Sequence, residues 1–350
     1  MDYLKHAWYV AAWDSEIGSD GIFQRTLLDE SILFFRDSQG VVQAISNRCP
    51  HRFAPLDKGV KIGDAIVCAY HGLRFNGKGQ CVHNPHGNGF VPKTATVRSY
   101  PVVERYSAIW IWMGEPELAD SGAIPDFSFN DPAQFFVGKR YLHARANYVL
   151  ETDNIMDLSH IQYLHPGTLG SDSVSSAEIE VTQELNTIYS KRLVKNEKLS
   201  DFLYAVNDIE PGTLVDRWID VRWDAPANMA LYVGAVPSGR STGDRIGRVM
   251  SHHFTPETNK TTHYWFSNSY PKTMGDAGVA LAEQHIESLK RPFEEEDLPM
   301  LEAQQMMMGD ADFWSLKPVL LPGDAGAVRA RRVLDKLIAD EQAKTLNRSE

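Results

Sequence analysis

The feature that most constrains this chain is a pair of short Cys/His segments in its N-terminal third. Cys49-Pro50-His51 is followed, after an interval of other residues, by Cys68-Ala69-Tyr70-His71. Thiolate and imidazole are ligands for zinc and for iron–sulfur clusters. Each segment contains one cysteine and one histidine, and the two segments together therefore predict a metal or cluster site.

The order of these ligands favours a cluster of two irons. In a Rieske [2Fe–2S] centre both cysteines bind one iron and both histidines bind the other. Each segment then gives one ligand to each iron, which a single ion does not require. A structural zinc site also uses two cysteines and two histidines and is the alternative, although zinc fingers usually order their ligands Cys-Cys-His-His.

Composition limits the class of protein. The chain has 350 residues, a hydrophobic content of 43% and a net charge of −11, which fit a globular protein of two domains and argue against a nucleic-acid partner. Cys81 has no cysteine left to pair with, so a disulfide scaffold is excluded. Because the sequence shows neither a signal peptide nor an apolar run of about 20 residues, we expect a cytoplasmic protein without membrane contact.

The pattern of apolar residues predicts two domains of an α+β protein. Short β-rich runs fill the stretch from Trp8 to Pro116, and a segment rich in Pro, Gly, Asp and Ser follows as a linker. We place the boundary at Arg140. Residues 1–140 are then an all-β domain with its linker, and residues 141–350 are a second domain of antiparallel sheet with helices packed on it.

A second constellation lies in a helical pattern that runs from Tyr148 to Leu164. Asn154, Asp157 and His160 recur at a spacing that places them on one helix face. His165 is about 140° further round a straight helix, but the following Pro166 ends the helix and allows the chain to turn back. Two histidines and one carboxylate form the facial triad of non-haem Fe(II) oxygenases, although two such histidines alone are weak evidence.

These segments resemble Rieske oxygenases. Asn47–Arg52 and Cys68–Phe75 are similar to the CPHR and CxYHGxxF motifs of their cluster domains, and Asn154–His165 is similar to the iron-binding motif of their catalytic domains. The resemblance implies a [2Fe–2S] cluster and a mononuclear Fe(II). Its ligands would be Cys49, His51, Cys68 and His71 for the cluster, and His160, His165 and a distant carboxylate for the iron.

The third iron ligand is chosen by resemblance, since the sequence offers many carboxylates. Glu296–Gln304 matches the family phrase Glu-Asp-x-x-x-x-Glu-Ala-Gln, which makes Asp297 the ligand. The acidic run Glu294–Asp297 is otherwise typical of the solvated start of a helix. If His160 binds iron, the Asp157 carboxylate one turn back can orient it through the other ring nitrogen.

The resemblance also implies an assembly. In the family the aspartate at Asp157 bridges to a Rieske histidine of the neighbouring subunit in a head-to-tail homotrimer, and His71 is the matching histidine here. Electrons would come from NAD(P)H through a reductase or ferredoxin. Asn154 corresponds to a residue that lines the iron site.

Over nearly its whole length the chain resembles the oxygenase components of the vanillate O-demethylase and dicamba monooxygenase group. This implies O-demethylation of a methoxylated, vanillate-like aromatic acid by O2, which yields a phenol and formaldehyde. By position, His252, Leu231 and Trp265 are candidates for the substrate pocket, with His252 hydrogen-bonding a carboxylate or phenol. Hydroxylation or dihydroxylation of another aromatic or heterocyclic acid is the alternative, and a non-catalytic Rieske electron carrier is a second one.

Overall fold

The computed structural model describes residues 3–240 and 247–349. The chain forms two compact units. The first contains Lys5–Ile124 together with Thr255–Thr258, and the second contains the described residues from Pro125 to Phe254 and from Asn259 onward.

The first unit consists of three small antiparallel sheets, which confirms the all-β expectation. Their strand orders are β1-β10-β9, β2-β3-β4 and β5-β6-β7-β8. The strands are β1 (Trp8–Trp13), β2 (Phe23–Leu27), β3 (Glu30–Arg36), β4 (Val42–Ser46), β5 (Val60–Ile62), β6 (Ala65–Val67), β7 (Arg74–Asn76), β8 (Cys81–His83), β9 (Val102–Arg105) and β10 (Ala108–Trp112).

The second unit is built on one antiparallel sheet of seven strands, which confirms the α+β class. Its order is β11-β17-β16-β15-β14-β13-β12. The strands are β11 (Phe135–Ala144), β12 (Glu178–Glu184), β13 (Thr187–Glu197), β14 (Val215–Asp224), β15 (Asn228–Pro237), β16 (Arg248–Thr258) and β17 (Thr261–Pro271). The helices are α1 (Tyr148–Met156), α2 (Ile161–Leu164), α3 (Asp201–Asn207), α4 (Asp276–Ser288), α5 (Leu298–Met308) and α6 (Ala325–Ser349).

The boundary between the units lies earlier than residue 140. Strand β11 belongs to the second sheet, where it pairs with β17 from Phe135↔Pro271 to Ala144↔Thr262. Gly138, Lys139 and Arg140 interrupt the apolar alternation of β11, and the sequence pattern therefore did not reveal it as a strand. The break falls between Ile124 and Pro125.

Successive residues of a strand point to opposite faces, and the register of the large sheet therefore groups residues of one face. Leu231 pairs with Met250, and Val233 pairs with both Ile219 and Arg248. These side chains lie on the face that lines the cavity described below. Among the described residues, no helix is both long enough and apolar enough to cross a bilayer.

Two adjacent histidines of β16 are buried in the sheet. His252 and His253 are 0% and 1% exposed, and the Nδ1 atom of His253 lies 2.9 Å from Oδ1 of Asn228. Burial lowers the pKa of His253 to about 3, with smaller contributions from His252 and Arg222. The neutral imidazole is therefore the form that the folded unit holds.

We predict that the second unit loses stability in mild acid. Because the folded pKa of His253 lies below its unfolded value, its contribution is fully present above about pH 6.5. It falls by up to about 1.4 kcal/mol per pH unit between that value and the folded pKa. Urea unfolding at several pH values measures the slope. His253→Gln should reduce it, whereas His83→Gln at an exposed histidine should not; equal slopes in all three proteins would contradict the prediction.

Candidate cluster and iron sites

The two Cys/His segments form loops with the same backbone hydrogen bonds. The first loop follows β4, and the second connects β6 to β7. In each, the cysteine N–H donates to the carbonyl five residues on, and the cysteine carbonyl accepts from the N–H four residues on. The partners are Ala54 and Phe53 of Cys49, and Leu73 and Gly72 of Cys68.

The same turn requires a left-handed residue at the fourth position after each cysteine. Phe53 and Gly72 have φ values of 62° and 71°. Glycine adopts this conformation without strain, whereas the phenylalanine does so because the loop is fixed on both sides. The matched turns place the two thiols at the same position, whereas the imidazole lies two residues after Cys49 and three residues after Cys68.

The thiols and the imidazoles differ in burial. Cys49 and Cys68 are 1% and 2% exposed and pack in a core with Leu33, Ile66 and Phe75, whereas His51 is exposed. The rings of His51 and His71 are 4.5 Å apart between centroids. This arrangement suits a [2Fe–2S] group that two buried thiolates and two imidazoles nearer the surface would hold.

Burial disfavours the charged form of a thiol. Burial, together with the neighbouring Cys68 thiol, raises the pKa of Cys49 to about 11. A thiolate at this depth therefore needs a cation beside it. A cluster iron supplies that cation, and the donor set of the two loops fits the group.

We predict that Cys49→Ser abolishes the cluster and that Cys81→Ser retains it. Cys81 lies in β8 and its thiol donates to the carbonyl of His83, so it has no part in the predicted ligand set. The checks are the visible absorption and the electron paramagnetic resonance of the reduced protein, in which zinc is silent. A cluster that survives Cys49→Ser unchanged would contradict the assignment.

The helix that carries the second constellation is interrupted, contrary to the single helix expected from Tyr148 to Leu164. Helix α1 ends at Met156, and Asp157 is extended, with φ −115° and ψ 93°. Its carboxylate accepts hydrogen bonds from the N–H and hydroxyl groups of Ser159, at 3.0 and 2.8 Å, and so caps the short turn Leu158–His160. An aspartate that caps a new turn competes with continuation of the helix.

Both histidines direct the same ring nitrogen into the site. The Nδ1–H of His160 donates to the backbone carbonyl of Asp157 at 2.8 Å, and the Nδ1–H of His165 donates to the Glu296 carboxylate at 2.7 Å. The carboxylate of Asp157 was expected to orient His160, but the carbonyl of the same residue does so. In both rings Nε2 is left available for a metal.

Asp297 completes the group from a distant part of the chain. It ends the π-helical segment Arg291–Asp297 that leads into α5. Its Oδ1 lies 3.5 Å from Nε2 of His160 and 3.2 Å from Nε2 of His165, and it accepts a hydrogen bond from the Asn154 amide at 3.0 Å. Asn154 was expected only to line the site, and this hydrogen bond gives it a defined partner there.

The donor set fits a divalent iron. Ligand atoms of His160, His165 and Asp297 all lie within 4.8 Å of one another. Burial would raise the pKa of Asp297, but hydrogen bonds and charge from the two histidines lower it to about 2, so that the carboxylate is ionised. Two imidazoles and a carboxylate on one side of an ion leave its other positions open.

Glu296 is a functional residue that sequence reasoning missed. It lies in an acidic run that is typical of a solvated helix start, yet one of its oxygens contacts His165 and the other accepts from Arg291 at 2.9 Å. Histidines that bind metal usually donate their second N–H to a carboxylate. The sequence signal that could have identified Glu296 is its position directly before Asp297, the predicted carboxylate ligand.

A cavity opens beside the three residues. Its empty volume, which includes open solvent at the mouth, is about 900 Å³. Leu231, Met250 and Phe293 are among its apolar lining residues. Leu231 is thus placed where the sequence predicted.

The other two predicted pocket residues are not in the cavity wall. His252 and Trp265 are both 0% exposed. Nδ1 of His252 lies 2.7 Å from the hydroxyl oxygen of Tyr264, and its ring contacts the lining residue Phe293 from behind. Position along the strands was a poor guide for two reasons. Phe293, from a separate helical segment, covers His252. Trp265 is an odd number of residues from the lining residue Asn268 and therefore lies on the other face of the sheet, where it packs on Tyr141.

We predict that Glu296→Ala weakens iron binding by roughly 10- to 100-fold, because His165 loses the acceptor that orients it. Glu296→Gln keeps an acceptor and should lose less. Competition for Fe(II) with a chelator measures the affinity, and the cluster content serves as an internal reference. Glu295→Gln, at an exposed neighbour, is the control; an equal loss in the control would contradict a specific role for Glu296.

The cluster loops and the His/His/Asp group together define a protein of the class that carries an electron-transfer cluster and an oxygen-activating iron in one chain. Comparison with known proteins agrees. Residues 7–101 match the model of the Rieske [2Fe-2S] domain, and residues 144–340 match the vanillate O-demethylase oxygenase C-terminal domain.

Relatives of known activity match over their whole length. The chain is 37% identical to the iron-sulfur subunit of the toluene-4-sulfonate monooxygenase system of Comamonas testosteroni, over 98% of this chain and 99% of the relative. It is 38% identical to the oxygenase component of dicamba O-demethylase of Stenotrophomonas maltophilia, over 96% and 98%.

A solved structure of dicamba monooxygenase with non-heme iron and dicamba is similar at a TM-score of 0.80 and 36% identity, over 98% of this chain and 100% of that one. The chain therefore belongs to the family of Rieske oxygenase components that includes vanillate O-demethylase. The cofactors of the family are a [2Fe–2S] cluster and a mononuclear non-haem iron, and its members act on aromatic compounds with O2 and an electron-donating partner.

Proposed function

We propose that this chain O-demethylates a methoxylated, vanillate-like aromatic acid. The observation that carries the proposal is the position of His160, His165 and Asp297 in the wall of an apolar cavity of about 900 Å³. The largely apolar lining of the cavity suits an aromatic ring. The iron supplies the oxygen chemistry when it is bound, and the cluster supplies electrons to it.

The chemistry balances as a monooxygenation. One oxygen atom of O2 is inserted into a C–H bond of the methoxy group, and the other leaves as water with two electrons and two protons. The hemiacetal that results loses formaldehyde to give a phenol. The residues of this chain hold the metal and orient the ring: Leu231, Met250 and Phe293 exclude water and keep the methyl group close to the metal.

Asp157 supports the proposal of a head-to-tail homotrimer. One of its oxygens accepts from Arg192 at 3.0 Å and from the N–H of Ser159, whereas the Ser159 hydroxyl is the only donor to the other oxygen among the described residues. Its side chain is 20% exposed, which leaves room for a further donor such as His71 of a second copy. A solution mass equal to that of a single chain would contradict this assembly. We place the protein in the cytoplasm, where thiols such as Cys81 stay reduced.

Hydroxylation of another aromatic acid is the second candidate. It is favoured by the similarity to a toluene-4-sulfonate monooxygenase, because the compound in that relative's name is an aromatic acid without a methyl ether. A simple electron carrier, in contrast, gives no reason for a convergent His/His/Asp group beside a cavity.

We predict formaldehyde release from a panel of methoxybenzoates that includes vanillate and syringate. The iron-loaded protein is supplied with NADH, a compatible reductase and O2, and formaldehyde should form in step with the loss of substrate. His160→Ala should abolish release because the metal loses a ligand. Hydroxylated products without formaldehyde would favour the second candidate, and turnover that survives His160→Ala would exclude this iron site.

A further inference from the structure

Among residues 3–240 and 247–349, two arginines line the cavity, and the rest of its wall is largely apolar. Arg217 of β14 has its charge matched, because Glu197 lies 3.2 Å away and is completely buried. Its second nitrogen donates to the carbonyl of Leu169 at 3.0 Å. Arg217 is therefore an internal structural ion pair, and it needs no ligand.

Arg248 of β16 is different. Its guanidinium donates to the carbonyl of Val206 at 2.6 Å and lies 3.5 Å from Oδ1 of Asn207, and both partners are neutral. Across residues 3–240 and 247–349, no carboxylate forms an ion pair with it. Burial and the nearby charge of Arg217 lower the pKa of Arg248. Because a guanidinium keeps its proton in proteins, a partly buried charge of this kind favours binding of an anion.

Asn268 provides a second, independent observation. It lies on β17, lines the same cavity and is 2% exposed, yet neither its amide nitrogen nor its amide oxygen has a hydrogen-bond partner in the part of the chain that the structure describes. Buried polar atoms nearly always have partners. A buried amide with no partner in the wall of a ligand cavity therefore indicates a polar group of the ligand.

His285 of α4 is a further polar residue of the cavity lining. Its Nδ1 and the hydroxyl of Tyr270 share a hydrogen bond, and burial lowers the pKa of His285 together with the nearby charge of Arg248. The cavity lining thus includes the polar residues Arg248, His285 and Asn268 as well as the apolar residues Leu231 and Phe293.

We propose that Arg248, assisted by the amide of Asn268, binds the carboxylate or sulfonate of the aromatic substrate. The ring then lies along the apolar wall, and the group that is oxidised faces the three iron ligands. This inference rests on the proposed function, because it names the anionic class of substrate for the same cavity. It assigns the anion to residues other than His252, which lies outside the wall and is engaged with Tyr264.

Binding measured without turnover tests the inference. Anaerobic calorimetry on the iron-loaded protein compares 4-methoxybenzoate and 4-methoxybenzenesulfonate, both anions, with neutral 4-methoxybenzamide. Arg248→Gln should weaken the preferred anion by roughly 10- to 100-fold, the value of a charge-assisted hydrogen bond. It should weaken the amide by less than about threefold, and Arg248→Lys should give an intermediate loss. The anion that binds wild type more tightly identifies the acid group.

Arg332→Gln is the matched control, since it removes the same charge from an exposed position on α6. Retained amide binding and an unchanged cluster spectrum show that Arg248→Gln is folded. Equal losses for anion and amide, no loss for the anion, or no binding of either anion to wild type would overturn the inference.

The result is separable from the proposed reaction. A selective loss of anion binding in a protein that releases no formaldehyde would support the anion site and reject the demethylase. Formaldehyde release by a protein whose Arg248→Gln variant binds anions like wild type would reject the anion site and retain the demethylase.

Discussion

The ability of the second unit to bind a metal depends on two hydrogen bonds, one from the Nδ1–H of His160 and one from the Nδ1–H of His165. The Asp157 carbonyl and the Glu296 carboxylate each accept the Nδ1–H of one histidine, and as a result both Nε2 atoms face Asp297. A histidine that is free to rotate would lose this convergence. The acceptors fix the tautomer and the ring direction before any metal is present, which is the usual task of groups behind a metal ligand.

The fold supplies those acceptors from separate parts of the sequence. The break at Asp157 exposes a carbonyl that an uninterrupted helix would have used in its own hydrogen bonds. Glu296 and Asp297 follow each other in a π-helical segment, a geometry that is frequent at functional sites. Irregular backbone at Asp157 and in the segment Arg291–Asp297 thus creates the site. The large sheet gives a rigid wall for the substrate cavity.

The sequence was informative where ligands are close in the chain. The spacing of the Cys/His pairs predicted the cluster type, and alternating apolar runs predicted the α+β class, which the structure confirms. It was less informative where partners meet only in three dimensions. Glu296 resembled a solvated carboxylate, His252 resembled a pocket residue, and the expected domain boundary at Arg140 fell inside the strand Phe135–Ala144. In each case a contact with a residue or strand far away in the sequence determines the structural role, and the local sequence pattern does not predict such a contact.

The most direct test of the central claim is a count of iron against acid-labile sulfide in the anaerobically loaded protein. A [2Fe–2S] cluster contributes iron and sulfide equally. The account therefore predicts that iron exceeds sulfide in the wild-type protein and that the two become equal in His165→Ala, with the cluster spectrum unchanged. Equal amounts in the wild-type protein, or an excess that persists in His165→Ala, would contradict a mononuclear iron at His160, His165 and Asp297.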